Sequence, residues 1–176
     1  MKSSAPDWLY PRRKKFAIII FLLQFLGAHS QNITWQHLST EDGKIPMPWQ
    51  STEQTGALIA DLNKDGLNDF VLSCRKQAPA LVWFQRTAIG WTRHVIDSSM
   101  LTIEAGGALW DVDNDGDPDL VFGGDWQSKQ VWWWENPYPL TTAIWQRHII
   151  KDSGSTQHHD QVIGRFKHNN DAQLVF

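Results

Sequence analysis

Asp111-Val112-Asp113-Asn114-Asp115-Gly116-Asp117-Pro118-Asp119 repeats, in altered spelling, the earlier stretch Asp61-Leu62-Asn63-Lys64-Asp65-Gly66-Leu67-Asn68-Asp69. In both, oxygen-bearing side chains fall on alternate positions, glycine stands sixth, and an apolar run follows at once: Leu120-Val121-Phe122 or Phe70-Val71-Leu72. A hard divalent cation such as calcium takes six to eight oxygens at about 2.3–2.6 Å, and a tight loop supplies them when alternate residues face the ion. Positions one, three, five and nine then give side-chain oxygens and position seven its carbonyl, so that Leu67 can stand where Asp117 stands. The predicted calcium ligands are Asp61, Asn63, Asp65, Leu67 and Asp69 in the first loop, and Asp111, Asp113, Asp115, Asp117 and Asp119 in the second. Glycine at 66 and 116 allows the sharp turn. The absence of nitrogen and sulfur donors argues against zinc or copper.

An EF-hand is rejected, because it needs a bidentate Glu at position twelve and helices on both sides. Position twelve here is Leu72 or Phe122, and the flanks are β-branched and aromatic. A plain polar turn remains the competing reading of either loop alone. Asn63 gives the first loop one charge fewer than the second, so weaker binding is expected there.

Working outward, the segments around the loops also recur. Ala57-Leu58-Ile59-Ala60-Asp61 corresponds to Ala108-Leu109-Trp110-Asp111, Leu81-Val82-Trp83-Phe84 to Val131-Trp132-Trp133-Trp134, and Trp91-Thr92-Arg93-His94-Val95-Ile96 to Trp145-Gln146-Arg147-His148-Ile149-Ile150. The displacement of about fifty residues fits propeller blades better than helical repeats. One period holds four short β-type runs, near Gly56–Ala60, Phe70–Cys74, Leu81–Gln85 and Trp91–Ile96, without helical periodicity. Four antiparallel strands per repeat make a blade. The expected fold is therefore all-β, a partial β-propeller with repeats at about 55–103 and 104–157 and the start of a third at 158–176.

The third repeat, Gln161 to Phe176, carries Arg165 and Lys167 at the first and third ligand positions, and no calcium is expected there. Because the sequence stops within a blade, further C-terminal blades of the same protein are expected partners. Residues 31–54 form a lead-in, in which Ile33-Thr34-Trp35-Gln36-His37-Leu38 resembles an outer blade strand that could close the ring.

At the N-terminus, Arg12, Arg13, Lys14 and Lys15 precede an apolar run from Phe16 to Gly27 and the small residues of Ala28-His29-Ser30. This reads as a signal peptide over 1–30, directing the protein to a secreted, periplasmic or cell-surface location, with an uncleaved anchor as the alternative. A single cysteine, Cys74, leaves no internal disulfide; it is expected to be a packed strand residue. A formal charge of -3 and the lack of a basic stripe argue against nucleic acid as a partner.

The loops, the repeat length and the Phe122-Gly123-Gly124 turn resemble FG-GAP or VCBS-type repeats, the calcium-loop blades also found in integrin alpha subunits. The resemblance covers about 52–176 and implies two bound calcium ions. A narrower likeness, carried by the Trp-x-x-His-x-Ile strands, by Trp134-Glu135-Asn136 and by His159-Asp160, is to the propeller part of aldos-2-ulose dehydratases.

Aligned repeats put Glu53, Glu104 and His158 at equivalent positions before the inner strands, with His159 and Asp160 adjoining. Glu104, His158, His159 and Asp160 are thus the candidate catalytic residues, able to hold a second metal and to move protons on a sugar. A solvated loop rim is the plainer alternative. Most of the eleven tryptophans fit blade packing, Trp132 and Trp134 on one face and Trp133 on the other. Trp126, after the double glycine, is the expected exposed platform for a glycan or protein ligand. The functional expectation is a calcium-binding recognition scaffold, with a metal-assisted carbohydrate lyase or dehydratase as the alternative and a purely structural surface module as a third reading.

Overall fold

The computed structural model describes residues 33–50, 52–168 and 171–176 of the chain. The proposed signal peptide, at 1–30, lies outside the described residues. The chain divides into two units, Met1–Gln36 and His37–Phe176, and the fold below is that of the second.

Among the described residues there is no α-helix, and every paired strand is antiparallel. No described helix is long and apolar enough to cross a membrane. The first sheet contains β1 (Gln54–Ala60), β2 (Asp69–Cys74), β3 (Leu81–Thr87) and β4 (Gly90–Asp97) in that order. The second contains β5 (Ala108–Trp110), β6 (Asp119–Gly123), β7 (Val131–Glu135) and β8 (Gln146–Lys151), again in chain order. β9 (Val162–Gly164) and β10 (Gln173–Val175) form a separate pair.

The two sheets share their register: Phe70 faces Phe84 as Leu120 faces Trp134, and Trp83 faces His94 as Trp133 faces His148. Each also carries a bulge where the third strand enters its pairing with the fourth, between Leu81 and Val82 or between Val131 and Trp132. Alternation along the strands sends successive side chains to opposite faces. Trp132 and Trp134 accordingly join the main core, whereas Trp133 packs on the other side with Val121, Val131, Ile163 and Leu174.

That main core lies between the sheets. Val71, Leu81, Trp83 and Ile96 of the first meet Leu120, Phe122, Trp132, Trp134 and Trp145 of the second. Trp83 and Trp145 meet edge to face with centroids 6.4 Å apart, the arrangement favoured by aromatic quadrupoles. A polar strap reinforces the contact: Asp97 Oδ2 accepts from the indole Nε1 of Trp134 at 3.0 Å and from Arg147 at 2.6 Å. The sheets approach so closely at their inner strands that a Cβ on Gly56 would stand 2.4 Å from the Gly106 carbonyl oxygen. The far face of the first sheet, with Cys74, Val82 and Phe84, is covered by Trp49 and Ile45.

Cys74 is a buried free thiol in β2. Residues 33–39 carry no strand, unlike the expectation for Ile33–Leu38. The β-type composition there is real, but a lone extended segment gains ladder hydrogen bonds only from a partner edge.

Candidate functional site

Both acidic loops occupy the turn between the first and second strands of their sheet, 61–68 after β1 and 111–118 after β5. Their backbones match: position four is left-handed in each, Lys64 at φ 55° and Asn114 at φ 64°, and so is the glycine at position six, at 87° and 96°. Backbone N–H groups curl inward onto the carboxylates. In the first loop Asp61 accepts from Asp65 at 3.0 Å and from Gly66 at 2.8 Å, so both its oxygens are engaged. In the second, Asp111 Oδ2 accepts from Gly116 at 3.1 Å, but Asp111 Oδ1 is buried without a hydrogen-bond partner.

This difference bears on metal fit. Asp111, Asp113 and Asp115 each offer a carboxylate oxygen, all within 4.8 Å of one another. An orphaned buried oxygen beside two more carboxylates is costly unless a cation completes it. Hard oxygen donors in a tight loop suit calcium. In the first loop the amide of Asn63 donates to Asp65 at 2.9 Å, a contact that offsets part of the carboxylate repulsion there.

The ninth residues carry a second duty that the pattern alone does not reveal. Asp69 is buried and accepts from the backbone N–H of Leu62 at 3.3 Å and of Arg86 at 2.7 Å. Asp119 repeats this with Val112 at 2.8 Å and Asn136 at 2.9 Å. Each thereby ties its loop to the end of the third strand. Burial pushes the Asp119 carboxyl up to about 6; the Asn136 and Val112 donors act against it, and the charges of Asp113 and Asp115 add to it. Asp69 is also raised, chiefly by burial.

Positions seven diverge. Leu67 is exposed, whereas the Asp117 side chain is buried and forms an ion pair with Lys64 of the other loop. Lys64 also lies over the Tyr138 ring, 4.7 Å from its centroid. Its ammonium is held above the ordinary lysine value, first by the bond to Asp117. The side-chain amide of Asn136, just after β7, donates to the Leu62 carbonyl at 3.0 Å and so links the second sheet to the first loop.

The lead-ins to the inner strands converge at a separate place. Thr55 donates to the Ile103 carbonyl at 3.0 Å, and the Asp160 N–H donates to the Ala105 carbonyl at 3.2 Å. Glu104, nearly fully buried, is paired with Arg75, and His159 Nε2 lies 3.5 Å from its Oε1. Arg75 Nε is 3.7 Å from the buried Asp125. Glu53 is nearby, its carbonyl accepting the Arg75 N–H and its carboxylate pairing with Lys76.

His158 is turned elsewhere. It is buried, its Nε2 3.1 Å from Lys151 Nζ, and its ring meets the Phe176 edge at 5.1 Å. Burial, then the Lys151 charge, pushes its imidazole below 6.5. Glu104 and His159 are thus brought together, Asp160 lies exposed beside them, and the His158 ring is directed to Lys151 and Phe176. Arg75 and Asp125, missed in the sequence, stand at equivalent positions just beyond β2 and β6, a correspondence that repeat alignment would have exposed.

Trp126 is 65% exposed and follows the buried Asp125 at a turn. The repeated histidines stack on tryptophan: His94 on Trp83 at 4.7 Å with Gln85 as partner, and His148 on Trp133 at 4.3 Å with Glu135 as partner. Arg165, in the third loop, lies over the Trp110 ring at 5.5 Å. Comparison of the chain with family models, with curated proteins and with solved structures finds no match.

Proposed function

We propose that the chain is an exported calcium-binding β-propeller module of FG-GAP or VCBS type, in which loop-bound calcium orders four-stranded blades that present a recognition surface for a glycan or protein. The observation that carries this reading is the convergence of Asp111, Asp113 and Asp115 around an unpartnered buried oxygen, at the tip of one of two sheets with matched register. Calcium, when bound, supplies the positive charge that lets these carboxylates share one loop. Asp61, Asn63 and Asp65 would hold the first ion and Asp111, Asp113 and Asp115 the second. Export would place the loops where calcium is plentiful, and affinity in the extracellular range, about 10⁻⁴ to 10⁻³ M, would suffice.

Isothermal titration of chelator-treated protein with calcium tests the reading. Binding that is lost in Asp113→Asn and accompanied by a rise in melting temperature supports it; a melting temperature indifferent to calcium and chelator rejects it. For recognition, a glycan array probed with the chain and with Trp126→Ala separates a stacking platform from an incidental indole.

A second reading, a metal-assisted carbohydrate lyase or dehydratase, draws on the placement of His159 beside Glu104. Its test is turnover of candidate sugars by the chain and by His159→Ala, with calcium affinity as the control. Unchanged turnover in the variant would remove His159 from that chemistry.

A further inference from the structure

We infer that Lys64 of the first loop serves as a built-in counter-cation of the second and thereby sets how tightly the second loop holds calcium; this rests on the calcium reading above.

The two loops have the same backbone, yet they differ at position four. Asn114 is a residue type that tolerates the left-handed conformation, whereas lysine at φ 55° is strained. The side chain projected from that position does not end in solvent around its own loop. It crosses to the neighbouring sheet, pairs with Asp117 and rests on Tyr138. The crossing is held in place, because Asn136 of the second sheet donates to Leu62, two residues before Lys64. Leu62 is itself fully buried in the shared core.

A positive charge is thus fixed at the seventh position of a loop whose first, third and fifth residues are the converging carboxylates. In the calcium-free loop the ammonium offsets their mutual repulsion and pairs with the buried Asp117. A divalent ion entering the loop meets the same ammonium as a repulsive neighbour. For an assumed separation of about 7 Å and water-like screening, that repulsion weakens binding about three- to fivefold at 10 mM salt, and about twofold near 0.15 M. Position four of one loop therefore tunes the other, and the strained lysine acts as a cross-sheet device.

Calcium titration of the full chain tests this, comparing the unsubstituted protein with Lys64→Gln and Lys64→Arg at 10 mM and 0.15 M potassium chloride. The second-loop site is identified as the one lost in Asp113→Asn. Lys64→Gln is expected to tighten that site about three- to fivefold at low salt, with the gain shrinking at high salt, and Lys64→Arg is expected to keep the original affinity. In chelator, Lys64→Gln should melt earlier than the unsubstituted chain, and calcium should close the gap. Equal affinities in the unsubstituted chain and Lys64→Gln, or weaker binding in Lys64→Gln, overturn the inference while leaving the calcium reading intact. An unsubstituted chain that binds no calcium overturns both.

Discussion

Asp97→Ala tests whether the two sheets unfold as one body. The carboxylate sits at the end of β4 and receives Trp134 Nε1 from β7, Arg147 from β8 and the backbone N–H of Ser99 at 2.9 Å. Trp134 has no exposed surface, so the truncation strands a buried indole N–H, at about 1–3 kcal/mol. Arg147 is about one third exposed, and its ion pair adds less than about 1 kcal/mol. Loss of the Ser99 bond adds about 0.5–1 kcal/mol. The sum, about 1.5–5 kcal/mol, lowers the melting temperature by about 5–17 °C for a cooperative unit of this size.

Near-ultraviolet circular dichroism and tryptophan fluorescence should report one coincident transition before and after the change. A cycle with Trp134→Phe should give a coupling of about 1 kcal/mol or more, because the two groups share a bond. Burial alone would raise the Asp97 carboxyl, but Ser99, Trp134 and the Arg147 charge together hold it below 3.8. Its contribution is therefore present above that value and lost only as the pH falls through its still lower folded value, so the effect of the variant should be flat from pH 5 to 8. A melting shift under about 2 °C, or strict additivity in the cycle, would refute a strap across the sheets.

Three further outcomes are expected. Asp111→Ala should abolish more of the calcium-induced melting shift than Asp61→Ala, since only Asp111 has an oxygen lacking a protein donor; equal losses in a thermal shift titration would contradict this. In chelator, stability should rise as the pH falls from 7 toward 4, because the folded Asp119 takes up its proton near pH 6 and the unfolded one near 3.8; the rise should shrink in Asp119→Asn, leaving the part due to the likewise raised Asp69, and an undiminished rise in chemical denaturation at stepped pH would contradict this. Gly56→Ala should cost more than about 3 kcal/mol, because its Cβ would collide with backbone, whereas Gly66→Ala, with open space but φ 87°, should cost about 1–2 kcal/mol; guanidinium unfolding of the pair distinguishes collision from strain.

The strands were legible because their signal is local. Val71, Leu72, Leu81, Val82 and their counterparts at 121 and 131–134 are apolar runs of valine, leucine and tryptophan set off by polar turns, and β2, β3, β6 and β7 form there. The opposed faces of Trp132–Trp134 follow from a period of two and needed no tertiary knowledge. What escaped the sequence depends on how one sheet lies against the next. Lys64 meets Asp117, Arg75 meets Glu104 and Asp97 meets Arg147 only because the two four-stranded sheets pack together, and no spacing rule anticipates pairs so far apart in the chain. Aligned repeats put Glu104 and His158 in one register, but the different partners of the two side chains could not be read there. One is claimed by Arg75 and the other by Lys151, both contributed by other segments.

The clamps made by Asp69 and Asp119 have one more consequence. The amides of Arg86 and Asn136 stand where the third strand of each sheet ends, and strand ends are places from which deuterium ordinarily enters early. Each is instead anchored to a carboxylate that belongs to the distant bend, so its isotope uptake should be slow while that bend keeps its shape and quick once it loosens. Two peripheral amides thereby become reporters of order at the acidic bends, readable residue by residue without touching a single ligand.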